Sequence, residues 1–353
     1  RLISMAINLA TEYSTRLDER FKKKSLTDQW CGHNYDWTGS NAISVWTLED
    51  PEIHDYSTTG TNRYGTPTEV EDELNTYTLT RKRSIAKTMD INNIQDTKNV
   101  RKVNAYLKSA WDNKYVPEID KYRLSRWANG AGLGKVNSTA LTKTTVIPAM
   151  LEANAALNNE LVPNDNRVCF VTETLAVQTR LAEELKNNES FTTKAIINGQ
   201  IARLVGMPIV AAPDSYMPAG VEFMIKWKNA SADPMKLKQL LAHHNPPGVA
   251  GYLIEGLVRY DAFVLAQKAN GIYVYAKSGV CAAPTATLAS NELTLASSDS
   301  GTIKYTTDGS NPKTSKTAVA YTAKFSVASG DRIRMYASKS GMVDSAIAEY
   351  VVA

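Results

Sequence analysis

Apolar residues recur at gaps of three and four along one stretch of the chain: Val100, Val103, Leu107 and Trp111, then Ile119, Tyr122 and Trp127. That spacing keeps them on one side of a helix and predicts a rod from Asp96 to Gly130, about 50 Å long at ~1.5 Å per residue. Asp96 is the expected N-cap, and Gly130, Gly132 and Gly134 are expected to end the helix. Pro117 removes a backbone bond midway, so a kink or break is expected there. With charge on its other face, a rod of this length suits a structural spine better than a catalytic core.

Upstream, Met5 to Asp28 reads as a polar, partly helical arm made basic by Arg16, Arg20 and Lys22 to Lys24. From Gly39 to Thr80 the pattern changes to β: AISVWTL, then the turn-rich YSTTGTNRYGTPTE, then LNTYTLT. Two strands and a long polar tip make an extended hairpin, which alone buries too little to be stable and needs a surface in the same chain or in a neighbour. Its charge is lopsided, because Glu49, Asp50, Glu52, Asp55, Glu69, Glu71, Asp72 and Glu73 face a single basic residue, Arg63. Basic residues follow directly at Arg81, Lys82, Arg83 and Lys87, then at Lys98, Arg101 and Lys102. The contrast points to complementary docking of hairpin on stem, with plainly solvated charge runs as the alternative.

Downstream, Ser138 is the expected cap of a second helix (TALTKTTVIPAMLEANAALNN) ending before Pro163. RVCFVTE reads as a buried strand, TLAVQTRLAEELK as a helix, MPIVAAP and VEFMIKWK as strands, and LKQLLAHHNPPG as a helix stopped by two prolines. Apolar strand-and-turn segments from Gly251 to Ala276 close this body. Alternating strands and helices make residues 165–255 an α/β or α+β lobe. At Ala282 to Thr285 the composition shifts to Ser, Thr and Ala with short, evenly spaced strands: TATLAS, ELTLAS, TIKYTTDG, AVAYTAKFSV, DRIRMYASKSG and SAIAEYVV. This predicts a small, separate β-sandwich with a hairpin-type turn at Asp308-Gly309, autonomous and dispensable to the rest of the chain.

With 353 residues the chain is long enough for two or more domains. A formal net charge of +4 is too small to argue for nucleic-acid binding. Cys31, Cys169 and Cys281 are odd in number and widely spaced, as expected of reduced structural thiols. No apolar run approaches a membrane span and no signal peptide opens the chain, so export is not expected.

Motifs for chemistry are missing. GAGLGK, from Gly130 to Lys135, lacks the first glycine and the Ser or Thr of a phosphate loop and follows a helix, so it reads as a flexible helix terminus. His33, His54, His243 and His244 show no metal-ligand spacing. TTDGSNP carries oxygen ligands but reads as a β-turn. Neither catalytic residues, nor a cofactor, nor a metal site is expected.

The order of a basic arm containing MAINLATEYSTRLDERF, an acidic hairpin with TNRYGTP at its tip, LTRKRSIAKTMDI, and a spine containing VPEIDKYRLSRWA resembles the major capsid proteins of tailed bacteriophages, those of the Hong Kong 97 phage fold. The likeness covers about residues 5–280. It implies an α+β capsid fold with an N-arm (1–38), an E-loop (39–80), a peripheral P-domain (81–164 and 256–282) and an axial A-domain (165–255). TIKYTTDGSNP and IRMYASKSGMVDS are similar to the immunoglobulin-like C-terminal modules of chitobiase-type glycosidases, which implies an outer domain over 283–353.

The resemblance implies a virion protein that assembles in the host cytoplasm, with itself as partner in pentamers and hexamers of an icosahedral head enclosing double-stranded DNA. It also implies a portal, possible cement proteins, a scaffolding protein expected as a separate chain, and non-specific contact with packaged DNA. Inter-subunit contacts would fall on Glu49, Asp50, Glu52, Asp55, Arg63, Glu71, Asp72 and Glu73 of the hairpin and Arg81, Lys82, Arg83, Lys98, Arg101 and Lys102 of the stem. Some members of that family join their subunits through an E-loop lysine, and no lysine lies between Gly39 and Thr80. The alternatives are a glycan-binding or adhesion protein, argued from the tail alone, and a glycosidase, which needs a pair of acidic residues in a sugar cleft.

Overall fold

The computed structural model describes residues 24–33, 35–38, 41–48, 55–61, 63, 64, 69, 72–92, 103–182, 200–204 and 206–352. The arm upstream of Lys24 and the first residues of the expected rod lie outside these.

In chain order, β1 (Asp36–Thr38), β2 (Ala42–Leu48) and β3 (Asp72–Thr78) lead into β4 (Arg81–Asp90). Helix α1 (Val103–Ala110), a π-helical turn (Trp111–Tyr115) and α2 (Val116–Gly130) form one continuous spine. Pro117 has no N–H to offer the turn below it, and the helix widens into the π turn there instead of breaking. The body continues with β5 (Leu133–Val136), α3 (Val146–Asn159), β6 (Arg167–Thr172), α4 (Glu173–Leu181), β7 (Gln200–Leu204), β8 (Met207–Ala212) and β9 (Val221–Trp227). Next come β10 (Ser231–Ala232), β11 (Met235–His244), β12 (Gly251–Tyr260), β13 (Phe263–Val264) and β14 (Ile272–Ala276). The last seven strands are β15 (Thr285–Ala289), β16 (Glu292–Ala296), β17 (Thr302–Thr306), β18 (Val319–Ala320), β19 (Phe325–Ser326), β20 (Arg332–Ser338) and β21 (Ala348–Val351).

A mixed six-stranded sheet, in the order β5-β14-β9-β6-β8-β7, forms the centre. Its middle strands are buried on both faces, which is why their sequences run apolar without alternation. Val168, Phe170 and Met224 pack under the spine with Trp127, whose ring lies 5.9 Å from that of Phe170. Cys169, Val171, Phe223 and Ile225 pack on the other face with Met150 and Leu157 of α3. The C-terminal strands form two sheets, β15-β16-β19 and β18-β17-β20-β21, closed on a core of Leu293, Leu295, Ile303, Ile333 and Met335. The hairpin is present as expected, β2 and β3 pairing antiparallel from Ala42↔Thr78 to Leu48↔Asp72.

Five expectations need correction. LKQLLAHHNPPG is strand for most of its length: β11 pairs along its length with β12, which pairs in turn with β4. Local helical spacing of Leu237, Leu240 and Leu241 yields there to a ladder that runs from Met235↔Tyr260 to His244↔Tyr252. The second helix starts at Val146, not near Ser138, because the threonines ahead of it bond among themselves; the Thr142 amide donates to Thr145 Oγ1 at 2.9 Å. The helix expected over TLAVQTRLAEELK ends at Leu181, where Ala182 turns extended. GAGLGK is no flexible terminus: α2 passes into β5, and a Cβ on Gly130 or Gly132 would collide with Val264 or Asn270. Asp308-Gly309 opens a long loop and not a tight hairpin; the Asp308 carboxylate organises it by accepting from Ser310 and Thr317.

Candidate assembly surface

The hairpin is rooted in the body and carries exposed apolar side chains beyond its root. Ile43 is fully buried with Leu79, Ala232 and Leu265, and the ring of Tyr77 lies 5.2 Å from that of Phe263. Farther out, Trp46 stands directly opposite Leu74, and both are exposed, Trp46 by 61%. Near the tip, Tyr56 and Tyr64 form an edge-to-face pair at 5.0 Å, again exposed. The hairpin's charges give no sign of this apolar face. Period-two alternation carried the signal, since Trp46 is out of phase with Ile43 and Val45.

The stem is a three-stranded sheet, β11-β12-β4, with one face packed on the spine through Tyr115, Ile119, Val258 and Tyr260. Its basic residues are divided by the pleat. Arg81 and Arg83 lie on the spine side: the Arg81 guanidinium sits 4.5 Å from the centre of the Tyr122 ring, and Arg83 Nε donates to Glu118 Oε1 at 2.5 Å. Lys82 is exposed on the opposite face, across from Arg259, which itself donates to Asn41. The expected basic run is therefore not one surface, and Arg81 and Arg83 already have partners on the spine.

Of the other expected contact residues, Asp55 is exposed, Arg63 Nε donates within the tip to the Gly60 carbonyl, and Asp72 and Glu73 open β3. Glu49, Asp50, Glu52, Glu71, Lys98, Arg101 and Lys102 lie outside the described residues.

Charge is also not confined to the far face of the spine. Asp120 and Arg123 are buried beside Trp127 and tie down the segment Ser25–Gly32. The Asp120 carboxylate accepts from Ser25 Oγ at 2.7 Å, the Leu26 amide at 2.9 Å and Thr27 Oγ1 at 2.6 Å. Arg123 donates to Thr27 Oγ1 at 3.1 Å and to Asp28 at 2.6 Å. Trp127 Nε1 donates to Asp233, which also accepts from the Gly32 amide and from Ser231. Lys226 completes the cluster: its ammonium donates to the carbonyls of Trp30 and Lys228 over the face of Trp127, and burial pushes its pKa down to about 8. Nothing in the sequence paired these residues, because their partners lie up to two hundred positions apart. The segment they hold directly follows the residues expected to form the N-terminal arm, which lie outside the described residues.

Among the described residues, no group of three or more His, Cys, Asp or Glu side chains is placed to hold a metal. No described helix is long and apolar enough to cross a membrane. Cys31, Cys169 and Cys281 are all buried and free, and burial raises the pKa of each thiol, which leaves little reactive thiolate.

The fold is shared with proteins of known structure. The chain is similar to a structure from Mycobacterium phage Che8, with a TM-score of 0.61 and 18% identity over 76% of this chain and 97% of that one. It is similar to the capsid of the cyanophage P-SCSP1u, with a TM-score of 0.59 and 12% identity over 76% of this chain and 92% of that one. It is also similar to the mature capsid of bacteriophage PhiM1, with a TM-score of 0.57 and 10% identity over 76% and 91%. The likeness is one of fold, and it defines the class: the chain has the phage capsid fold of the Hong Kong 97 type. Residues 283–349 match the chitobiase/beta-hexosaminidase C-terminal domain family, in agreement with the immunoglobulin-like sandwich described above. No curated protein sequence matches the chain.

Proposed function

We propose that this chain is a major capsid subunit, a structural and non-enzymatic protein that assembles with itself into pentamers and hexamers of an icosahedral phage head around double-stranded DNA. The observation that carries the reading is the hairpin: a capsid fold projects from its body an arm whose Trp46–Leu74 face is exposed. An isolated subunit gains nothing from such a face, whereas a lattice in which it lies on a neighbour buries it. Each contact need be worth only a few kcal/mol, because a closed shell repeats it many times. Heterologous contacts that close into rings supply the curvature. In this reading residues 1–38 are the N-arm, 39–80 the E-loop, 81–164 and 256–282 the P-domain, 165–255 the A-domain and 283–353 an outer domain. Scaffolding, portal and cement proteins would be separate chains.

Sedimentation velocity tests the proposal. The wild-type chain is expected to form large, uniform particles, whereas Trp46→Glu with Leu74→Glu leaves a folded, slowly sedimenting subunit. Equal assembly by the double variant, or no particles from the wild type over a wide range of protein and salt concentrations, would contradict it.

A further inference from the structure

The C-terminal sandwich is joined to the body by much more than its linker. Helix α2 ends without the left-handed glycine that usually satisfies the last carbonyls: its C-cap, Ala131, is extended, with φ −57° and ψ 134°, and its last turn holds no basic residue. The positive charge that a helix C-terminus favours arrives from the sandwich. Lys313 Nζ donates to the carbonyl of Asn129 at 2.9 Å and to that of Ala131 at 2.7 Å. Part of its stem is exposed, but the ammonium is enclosed beside Asp344, and burial lowers its pKa.

Around this point the contact is continuous. Asn311 donates to the Ala266 carbonyl at 2.8 Å, and the Asp344 amide to Asn129 Oδ1 at 3.3 Å. The Ile347 amide donates to the Gly132 carbonyl at 2.9 Å, just where the spine enters β5. Val343 pairs with Val280 and shares one apolar core with Trp127, Ala128 and Ala131.

We propose that the C-terminal sandwich is an intramolecular clamp on the end of the spine helix, with Lys313 as its key. The physical reason is reciprocal. Without the sandwich, the spine's last carbonyls and the apolar residues around Val280 lose their cover; without the spine, Lys313 has no acceptors for its enclosed charge. The two parts therefore open together and do not move as body and tethered ornament. The clamp is a property of the folded chain and does not depend on the capsid reading.

Hydrogen–deuterium exchange of the full-length chain tests it. In the wild type, the amides of Gly132, Val343 and Ile347 should exchange at a common rate, as one cooperative unit. Lys313→Met keeps the stem and removes the donors; it should speed exchange of all three at least tenfold while leaving Ile333 to Ala337 in the sandwich core unchanged. The milder Asn311→Ala should move the same amides in the same direction by a smaller factor. Rates for Val343 and Ile347 far faster than for Gly132 in the wild type, or an unchanged pattern in the variants, would overturn the clamp.

Discussion

Replacing Asp120 by alanine probes how the chain fastens its N-terminal segment. The carboxylate is 1% exposed and accepts three hydrogen bonds from Ser25, Leu26 and Thr27. Hydrogen bonds to a charged group contribute about 1.5–3 kcal/mol each, but the carboxylate also gave up its hydration on burial, so the three do not simply add. Removing it leaves the buried Leu26 amide and Thr27 hydroxyl without an acceptor, at about 1–3 kcal/mol each; Arg123 still holds Thr27 and Asp28, which favours a total of about 3 kcal/mol. At roughly 2–4 °C per kcal/mol for a body of this size, the melting temperature should fall by about 6–12 °C. Asp120→Asn retains an acceptor and should lose about half as much. Differential scanning calorimetry gives the shift, and trypsin cleavage after the exposed Lys24 reports release of the segment. A melting temperature within about 2 °C of wild type, with unchanged cleavage, would refute the assignment of Asp120 as the anchor.

Other outcomes follow from the same contacts. A Cβ on Gly32 would be driven into the Ser231 carbonyl, so Gly32→Ala should destabilise by at least ~1–3 kcal/mol in chemical denaturation. Burial lowers Lys226 and Lys313 from the usual 10.5 to about 8, against the pull of Asp233 and Cys31 on the first and of Asp344 and Cys281 on the second. Between those values the unfolded chain binds the protons more tightly, so these two groups make stability rise with pH from about 8 upward; Lys226→Met should flatten that slope in melting curves. The absence of lysine from residues 39–80 predicts particles without E-loop lysine links, so boiled, reduced particles should run as one band near 38.8 kDa on a denaturing gel. A ladder of multimers would contradict it.

Much of the fold was legible because local pattern and tertiary role agree. VCFV and MPIVAA are apolar throughout because both faces of the central sheet are covered, and the alternation in β15 and β16 marks a sandwich with one solvated face. The β11 segment was not legible, because its leucines fit a helix equally well and only pairing with β12 decides. The polar cluster around Asp120, Arg123 and Lys226 looked like ordinary surface charge, since nothing local marks a residue whose partners are remote. Lys313 was hidden in the same way within a turn-rich loop.

The basic stem shows the limit of reading charge as a sum. Arg81 and Arg83 are engaged by Tyr122 and Glu118, so reversing all three basic residues would disturb the spine as well as any neighbour. Lys82→Glu alone separates the two effects, since it lies on the exposed face.

Cryo-electron microscopy of particles made by the full-length chain tests the central proposal most directly. Closed icosahedral shells are expected, with the subunit in both five- and sixfold rings, the Trp46–Leu74 face buried on a neighbour, and the C-terminal sandwich seated on the spine at the outer surface. Subunits that stay monomeric, or shells in which that hairpin face remains in solvent, would contradict it.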